Sequence, residues 1–288
     1  MTANAVVTGI HIYPVKGLSG IALQQGILQA TGFEFDRHWM IVMPNGRMVT
    51  QRQMPGLATL TTRIMDSRLI IAAHPEPDLI IDLETLPESR VPVSVWRDSF
   101  TALDEGLQAS AWLTRILSSK YPLRLVRMAG DMIRPQSKPD LLGEHTSTRF
   151  ADAAPYLLTS EASLEQVNRK LTGKGLSALP MNRFRPNIVV RGLPAFQEYQ
   201  KGELSESLGR YELRSCYPCE RCIVTTINQT TGAVDKLLME PLATLVEMQT
   251  SALHKGAYFG QNVILSRGEG RQMRIGDRLS FAFECAGK

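Results

Sequence analysis

The stretch RHWMIVMPNGRMVTQR, residues 37–52, carries an apolar run from Trp39 to Met43, then Pro44-Asn45-Gly46, then a shorter mixed run from Arg47 to Arg52. Asn-Gly between two such runs is the strongest short hairpin signal, because Gly adopts positive φ without a Cβ clash. Trp, Ile and Val on one side and Met-Val-Thr on the other therefore predict two antiparallel strands. Working outward, VTGIHIY (7–13) alternates, placing Thr8, Ile10 and Ile12 on one face and His11 and Tyr13 on the other. LATLTTRIMDSRLIIAA (57–73), DLIIDL (78–83) and VPVSVW (91–96) continue as short β-branched runs broken by turn formers. Further strands are expected at PNIVVRG (186–192), YELRSC (211–216), CIVTTIN (222–228), NVILSR (262–267) and DRLSFAFE (277–284). The fold class is mainly β with a few helices.

Three helices interrupt the pattern. GLQASAWLTRILSS (106–119) spaces Leu107, Ala111, Leu113 or Thr114, and Leu117 at helical period. TSEASLEQVNRKL (159–171) places Leu164, Val167 and Leu171 on one face, with Thr159 or Ser160 as cap and Glu161 in the first turn. EPLATLVEMQ (240–249) begins with Pro241, suited to the first helical position. Residues 128–148 lose periodicity and gather Pro, Gly, Asp and Ser, which reads as a long loop or a boundary.

The 288 residues are 43% hydrophobic and 21% charged, ordinary values for a folded chain long enough for about two domains. No basic segment followed by an apolar run opens the sequence, and no run reaches the ~18 apolar residues of a membrane span. The expectation is a cytoplasmic protein with no membrane contact. A net charge of +4 is spread without long Lys/Arg blocks, which argues against nucleic acid and for a local anion such as phosphate.

Four cysteines are too few for a disulfide scaffold in a chain of this length. Three of them, Cys216, Cys219 and Cys222, lie in SCYPCERCIVTT (215–226). A zinc or iron-sulfur site normally needs four gathered ligands, and the remaining Cys285 lies far along the chain. Buried apolar packing is the alternative for Cys216. Cys222 has the best claim to reactivity, since Arg221 beside it favours the thiolate that soft metals bind. None of the five histidines shows metal-ligand spacing, and there is no GxSxG, Walker loop or GxGxxG. Lys16, on the glycine-containing loop of YPVKG, reads as an anion-binding cation or a solvated turn lysine. Arg37 opens the apolar strand of the hairpin. Arg185 and Asn187, with Arg183, stand around Pro186 in NRFRPNIVV (182–190); Arg offers a planar fork for phosphate, and Asn can read a heterocycle edge.

YPVKG, DRHWMIV, NGRMVTQRQMPGL, FADAAPYLLTSEASL, NRFRPNIVV, CERCIVTT, GAYFGQNVIL and IGDRLSF occur in the order in which they occur in MOSC-domain proteins, over roughly residues 6–283. The chain closely resembles the amidoxime-reducing branch of that family. The resemblance implies an N-terminal β-barrel domain over residues 1–118 and a MOSC β-barrel domain over 119–288. It implies a molybdenum cofactor (Mo-molybdopterin), with Cys222 as the molybdenum ligand and catalytic residue. Lys16, Arg37, Arg185 and Asn187 match positions that hold the pterin and its phosphate, and Thr159 and Ser160 fall in a stretch that lines the cofactor pocket. Two departures stand out: Gly17 replaces a small polar residue, and Glu220 stands where relatives often carry Ser. The implied activity is reduction of N-hydroxylated small molecules, namely amidoximes, hydroxylamines and N-hydroxylated base analogues. Electrons would come from a separate flavoprotein, ferredoxin or cytochrome-type partner. The competing expectation is a cofactor carrier or a sulfur-transfer module using a cysteine persulfide.

Overall fold

The computed structural model describes residues 2–134, 138–234, 239–248 and 256–284. Seven strands form a closed barrel in the order Ile188–Arg191, Tyr156–Ser160, Tyr258–Arg267, Glu212–Glu220, Gly202–Glu206, Arg278–Phe283 and Thr2–Ile12, and the last pairs back onto the first. Closure leaves these strands without a free edge. All of these pairings are antiparallel except Tyr156–Ser160 with Ile188–Arg191. A parallel pair needs a crossover, and the helix Glu161–Gly173 supplies it. Val167 and Leu171 are buried and Leu164 packs against them, the face expected from the sequence.

The first strand shows how the barrel wall is shaped. Ala5 and Val7 point inward at odd positions and Ile10 and Ile12 at even ones, because a bulge between Val7 and Gly9 shifts the register against Ile188–Arg191. One extra residue there reverses the alternation and bends the strand. The inward side chains, with Phe33, Tyr156, Ile188, Val190, Leu213 and Phe281, make one core cluster.

The first half of the chain builds a second core. Trp39–Val42, Arg124–Arg127, Asp98–Asp104 and Arg90–Val95 form a four-stranded sheet, and Thr61–Met65, Arg68–Ala72 and Leu79–Asp82 a three-stranded one. Both contribute to a cluster containing Trp39, Leu57, Leu69, Trp112 and Leu125. The chain exchanges elements between the two halves, since Thr2–Ile12 lies in the barrel while Arg124–Arg127 lies between Trp39–Val42 and Asp98–Asp104.

The Asn45-Gly46 turn forms, with Gly46 at φ +79° and Met43 and Arg47 paired across it. Its second arm is shorter than expected: a Val42–Met48 bridge and the Val49 amide to Ile41 are followed by turns, and a 3₁₀ helix begins at Pro55. The helix at Leu107–Ile116 is present with a different inner face. Ala109, Trp112 and Leu113 are buried, whereas Leu107 is 88% exposed, because the indole takes the place against the second core. The region 128–148 contains only a short helix, Pro139–Leu142, among its described residues. Arg134 there is buried, donating to Asp98 Oδ2 at 2.8 Å and to the Arg149 and Ala151 carbonyls.

Candidate functional site

A cleft of about 1620 Å³ is lined by Lys16, Arg37, Arg185, Asn187 and Cys222. Backbone pairing explains how residues so far apart in sequence meet. The Tyr13–Lys16 segment continues the first barrel strand and runs beside Arg37–Trp39, with the Arg37 amide on the Tyr13 carbonyl at 2.8 Å and the Lys16 amide on Trp39 at 2.8 Å. The same strand pairs with the Asn187 segment through the His11 amide and the Asn187 carbonyl, 2.8 Å apart. Lys16, Arg37 and the 185–187 segment are therefore fixed by the main chain at one end of the barrel.

Arg37 and Arg185 share one anchor. Their guanidinium carbons lie 4.3 and 4.2 Å from the centroid of the Tyr13 ring. Both residues take left-handed backbone conformations, at φ 46° and 52°, uncommon for long side chains and costing about 1–3 kcal/mol each. Arg37 Nη1 donates to buried Asp36 Oδ2 at 2.6 Å and to Asn187 Oδ1 at 3.0 Å. Among the described residues, Arg185 Nη1 donates to an amide oxygen, Gln229 Oε1, at 3.1 Å and to no carboxylate. Burial and the neighbouring Arg37 push Arg185 down to about 10, against the pull of Tyr13 and Asp36. A nearby anion reverses that push.

Lys16 is 7% exposed and donates to the Phe150 carbonyl at 2.7 Å and to Asp152 Oδ1 at 2.6 Å. Burial lowers its pKa, and Asp152 offsets part of the change. Asn187 lines the cleft and is also held by protein contacts. Its Oδ1 accepts from Arg37 and the Leu157 amide, and its Nδ2 donates to the His11 carbonyl, so the amide knits three segments of the cleft floor.

Thr159 and Ser160 are fully buried and do not line the cleft. Ser160 is the N-cap residue of Glu161–Gly173 without a side-chain cap hydrogen bond, and its buried Oγ has no partner. Both lie at the end of a barrel strand buried along its whole length.

The three cysteines diverge. Cys216 is 3% exposed among Leu142, Ala154 and Ile264, and burial raises its thiol pKa. Cys219 Sγ accepts from Arg221 Nη1 at 3.0 Å. Sequence adjacency pointed Arg221 at Cys222; the structure turns its guanidinium to Cys219 and to the Phe184 carbonyl, leaving Nε buried without an acceptor. Cys222 opens the 3₁₀ helix Ile223–Thr226, where its carbonyl accepts from Thr225, and it lines the cleft. Among the described residues no three His, Cys, Asp or Glu side chains are gathered as a metal-ligand group, and Cys285 lies outside them.

Other parts of the site gave no sequence signal. Gln51, 2% exposed, donates to the Gly17 carbonyl at 2.6 Å and exchanges hydrogen bonds with Gln229 at 3.1 and 2.9 Å. Glutamines at such separations carry no pattern. Tyr13, Asp36 and Asp152 are the other residues missed, although Tyr13 and Asp36 sit beside motif residues.

Residues 4–120 match the MOSC N-terminal beta barrel domain and residues 145–281 the MOSC domain. The chain belongs to the MOSC-domain family. It is 32% identical over 248 residues to mitochondrial amidoxime-reducing component 1 of Xenopus laevis, covering 83% of this chain and 70% of that one. It is 31% identical over 272 residues to the component 1 protein of Homo sapiens, covering 90% and 78%. Mitochondrial amidoxime reducing component 2 of Bos taurus is 31% identical over 246 residues, covering 83% and 70%. Among the described residues of this MOSC protein no helix is long and apolar enough to cross a membrane.

Proposed function

We propose that this protein is a molybdenum-cofactor oxidoreductase that reduces N-hydroxylated compounds, with Cys222 as the one protein ligand to the metal. The observation that carries the reading is convergence: Lys16, Arg37, Arg185 and Cys222, from four separate segments, line one cleft. The donor set fits the group. Among the described residues Arg185 has no carboxylate hydrogen-bond partner and Arg221 Nε is buried without an acceptor, and a phosphate-bearing ligand suits both. A metal that arrives with its own sulfur ligands needs one further soft donor; Cys216, Cys219 and Cys222 all border the cleft, but Cys216 is buried among apolar side chains and Cys219 Sγ is engaged by Arg221, which leaves Cys222 as that donor. The relatives named for amidoxime reduction support the reaction class.

In this reading Lys16, Arg37 and Arg185 hold the phosphate end, Asn187 and Asp36 fix Arg37, and Thr159 and Ser160 act from behind the wall without touching the ligand. The bound cofactor supplies a two-electron couple at molybdenum. For an amidoxime the N–O bond breaks, two electrons and two protons enter, and an amidine and water leave; the electrons come from a separate electron-transfer protein. A division near residues 118 and 119 belongs to the same proposal, with the first barrel strand lent to the second domain.

Elemental analysis of protein made in a host that synthesises the cofactor tests the assignment. Near-stoichiometric molybdenum that is lost in Cys222→Ala, with benzamidoxime reduced by a reduced viologen, is expected. Zinc or iron in its place refutes the cofactor, and molybdenum without turnover favours the carrier.

A further inference from the structure

Two aromatic side chains of the cleft lining, Trp96 and Tyr217, are not among the residues assigned to the cofactor. Trp96 is 50% exposed, and its turn takes the left-handed conformation at φ 55°, rare for a bulky residue. Its Nε1 donates to Asp152 Oδ1 at 2.9 Å, which fixes the plane of the indole, and the Arg52 guanidinium lies 4.7 Å from the ring centroid. Elsewhere in the same lining, Lys138 Nζ lies 4.8 Å from the centroid of Tyr217. Each is an aromatic face with a cation on it, the combination that attracts a planar ring bearing negative charge.

The charge count supports the same conclusion. The cleft wall carries seven Lys and Arg side chains against three carboxylates, so an excess of cation remains after a phosphate of charge about −2 is seated. Asp152 is already engaged by Lys16 and Trp96. Glu220 and Glu284 supply the other two carboxylates.

We propose that Arg52, Trp96, Lys138 and Tyr217 form the substrate-binding rim, and that they select planar N-hydroxylated ring compounds carrying an anionic group. This inference rests on the reductase reading above. The ring stacks on the indole, the anionic group meets Arg52 or Lys138, and the N–OH end points inward. The anion can be a carboxylate on an aryl amidoxime or a phosphate on an N-hydroxylated heterocycle.

The test uses the cofactor-loaded protein with reduced methyl viologen. Two pairs are compared: 4-carboxybenzamidoxime against its methyl ester, and N6-hydroxyadenosine 5′-monophosphate against N6-hydroxyadenosine. The anionic member of at least one pair is expected to have a kcat/KM about tenfold higher, or about 1.4 kcal/mol in transition-state binding; the pair that shows it identifies the anion. Arg52→Gln and Lys138→Gln, both exposed, should bring the ratio toward one by raising KM while kcat holds. Trp96→Ala should raise KM for the ring compounds by a larger factor than for acetamidoxime. Calorimetric titration with 4-carboxybenzamidine and benzamidine, which needs no turnover and in which both compounds carry the same amidinium, should show the carboxylate-bearing compound binding more tightly. Equal or inverted preference in both pairs overturns the inference, as does a preference that survives both cation variants. If no amidoxime is reduced, the reductase reading falls by itself and the titration decides the rim: tighter binding of the carboxylate-bearing compound supports it, and equal or weaker binding refutes it.

Discussion

Glu198 offers a direct check on how the wall of the cleft is built. It lies in the 3₁₀ turn Gln197–Tyr199, which leads Tyr199 and Gln200 to the cleft, and it has no solvent exposure. Its Oε2 accepts from Ser163 Oγ at 2.8 Å, while its Oε1 has no partner. Burial raises the carboxyl from 4.5 to about 7, and the bond from Ser163 opposes the rise. The folded protein therefore keeps a proton that the unfolded chain has released between these two values. The stabilising contribution is full below about pH 4.5 and is lost as the pH rises through about 7. A difference of roughly 2.5 units corresponds to about 3 kcal/mol at full development. Glu198→Gln keeps an acceptor for Ser163 and carries no charge, so its slope from this site disappears. Urea unfolding of both proteins at several pH values between about 4.5 and 8.5 reads the effect, since the other titrating groups cancel in the difference. The variant should gain on the wild type by up to about 3 kcal/mol toward the alkaline end and match it at the acid end. A constant difference across the range would mean that folded Glu198 is charged, and the reasoning fails.

Glu105→Ala should cost about 3–5 kcal/mol in the same unfolding assay, because it leaves Arg127 buried without its carboxylate and the Trp39 Nε1 without its acceptor; a loss below about 1 kcal/mol would show that water reaches the guanidinium. Gly20→Ala places a Cβ 2.5 Å from Tyr13 Cε1 and should displace the ring between Arg37 and Arg185. Its expected cost is about 1–3 kcal/mol of stability with a larger loss of molybdenum content than a distant substitution of equal cost causes, and retention of full metal loading refutes the link.

Much of the strand pattern was legible because it is local, whereas CIVTTIN (222–228), expected as a strand, forms the 3₁₀ helix Ile223–Thr226. Trp39–Val42, Arg68–Ala72, Leu79–Asp82 and Ile188–Arg191 lie inside the stretches that read as β. The helix Glu161–Gly173 was legible for the same reason, with a clean apolar period. Where one residue type fits two positions, local reading failed: Leu107 and Trp112 both suit a core, and the larger surface of the indole won. The site was legible only in its charges. Lys16, Arg37 and Arg185 announce themselves as cations on turns, but nothing local shows that Asp36 neutralises one arginine while Gln229 leaves the other charged. Arg221 shows the limit of adjacency: side chains of neighbouring residues need not face one another, and its guanidinium reaches Cys219, two positions back, on the strand Glu212–Glu220.

These contacts also explain why the site spans both halves of the chain. The strand Thr2–Ile12 closes the barrel against Ile188–Arg191 and Arg278–Phe283, and its continuation presents Lys16 to the cleft and buries Tyr13 against Arg37 and Arg185. Tyr13 then serves both arginines, and buried Asp36 ties its amide to Arg37. On the other side the Gln51 and Gln229 amides join the Gly17 carbonyl to Arg185. Neither half carries the cation set alone: Lys16 and Arg37 come from the first, and Arg185, Arg221 and Cys222 from the second. The amide pair is neutral, so it sets the spacing between Arg185 and the Lys16 loop without consuming charge. A carboxylate in the Gln229 position would pair with Arg185 and remove positive charge on which anion binding depends. Glutamine can bridge these loops and leave that charge to the ligand.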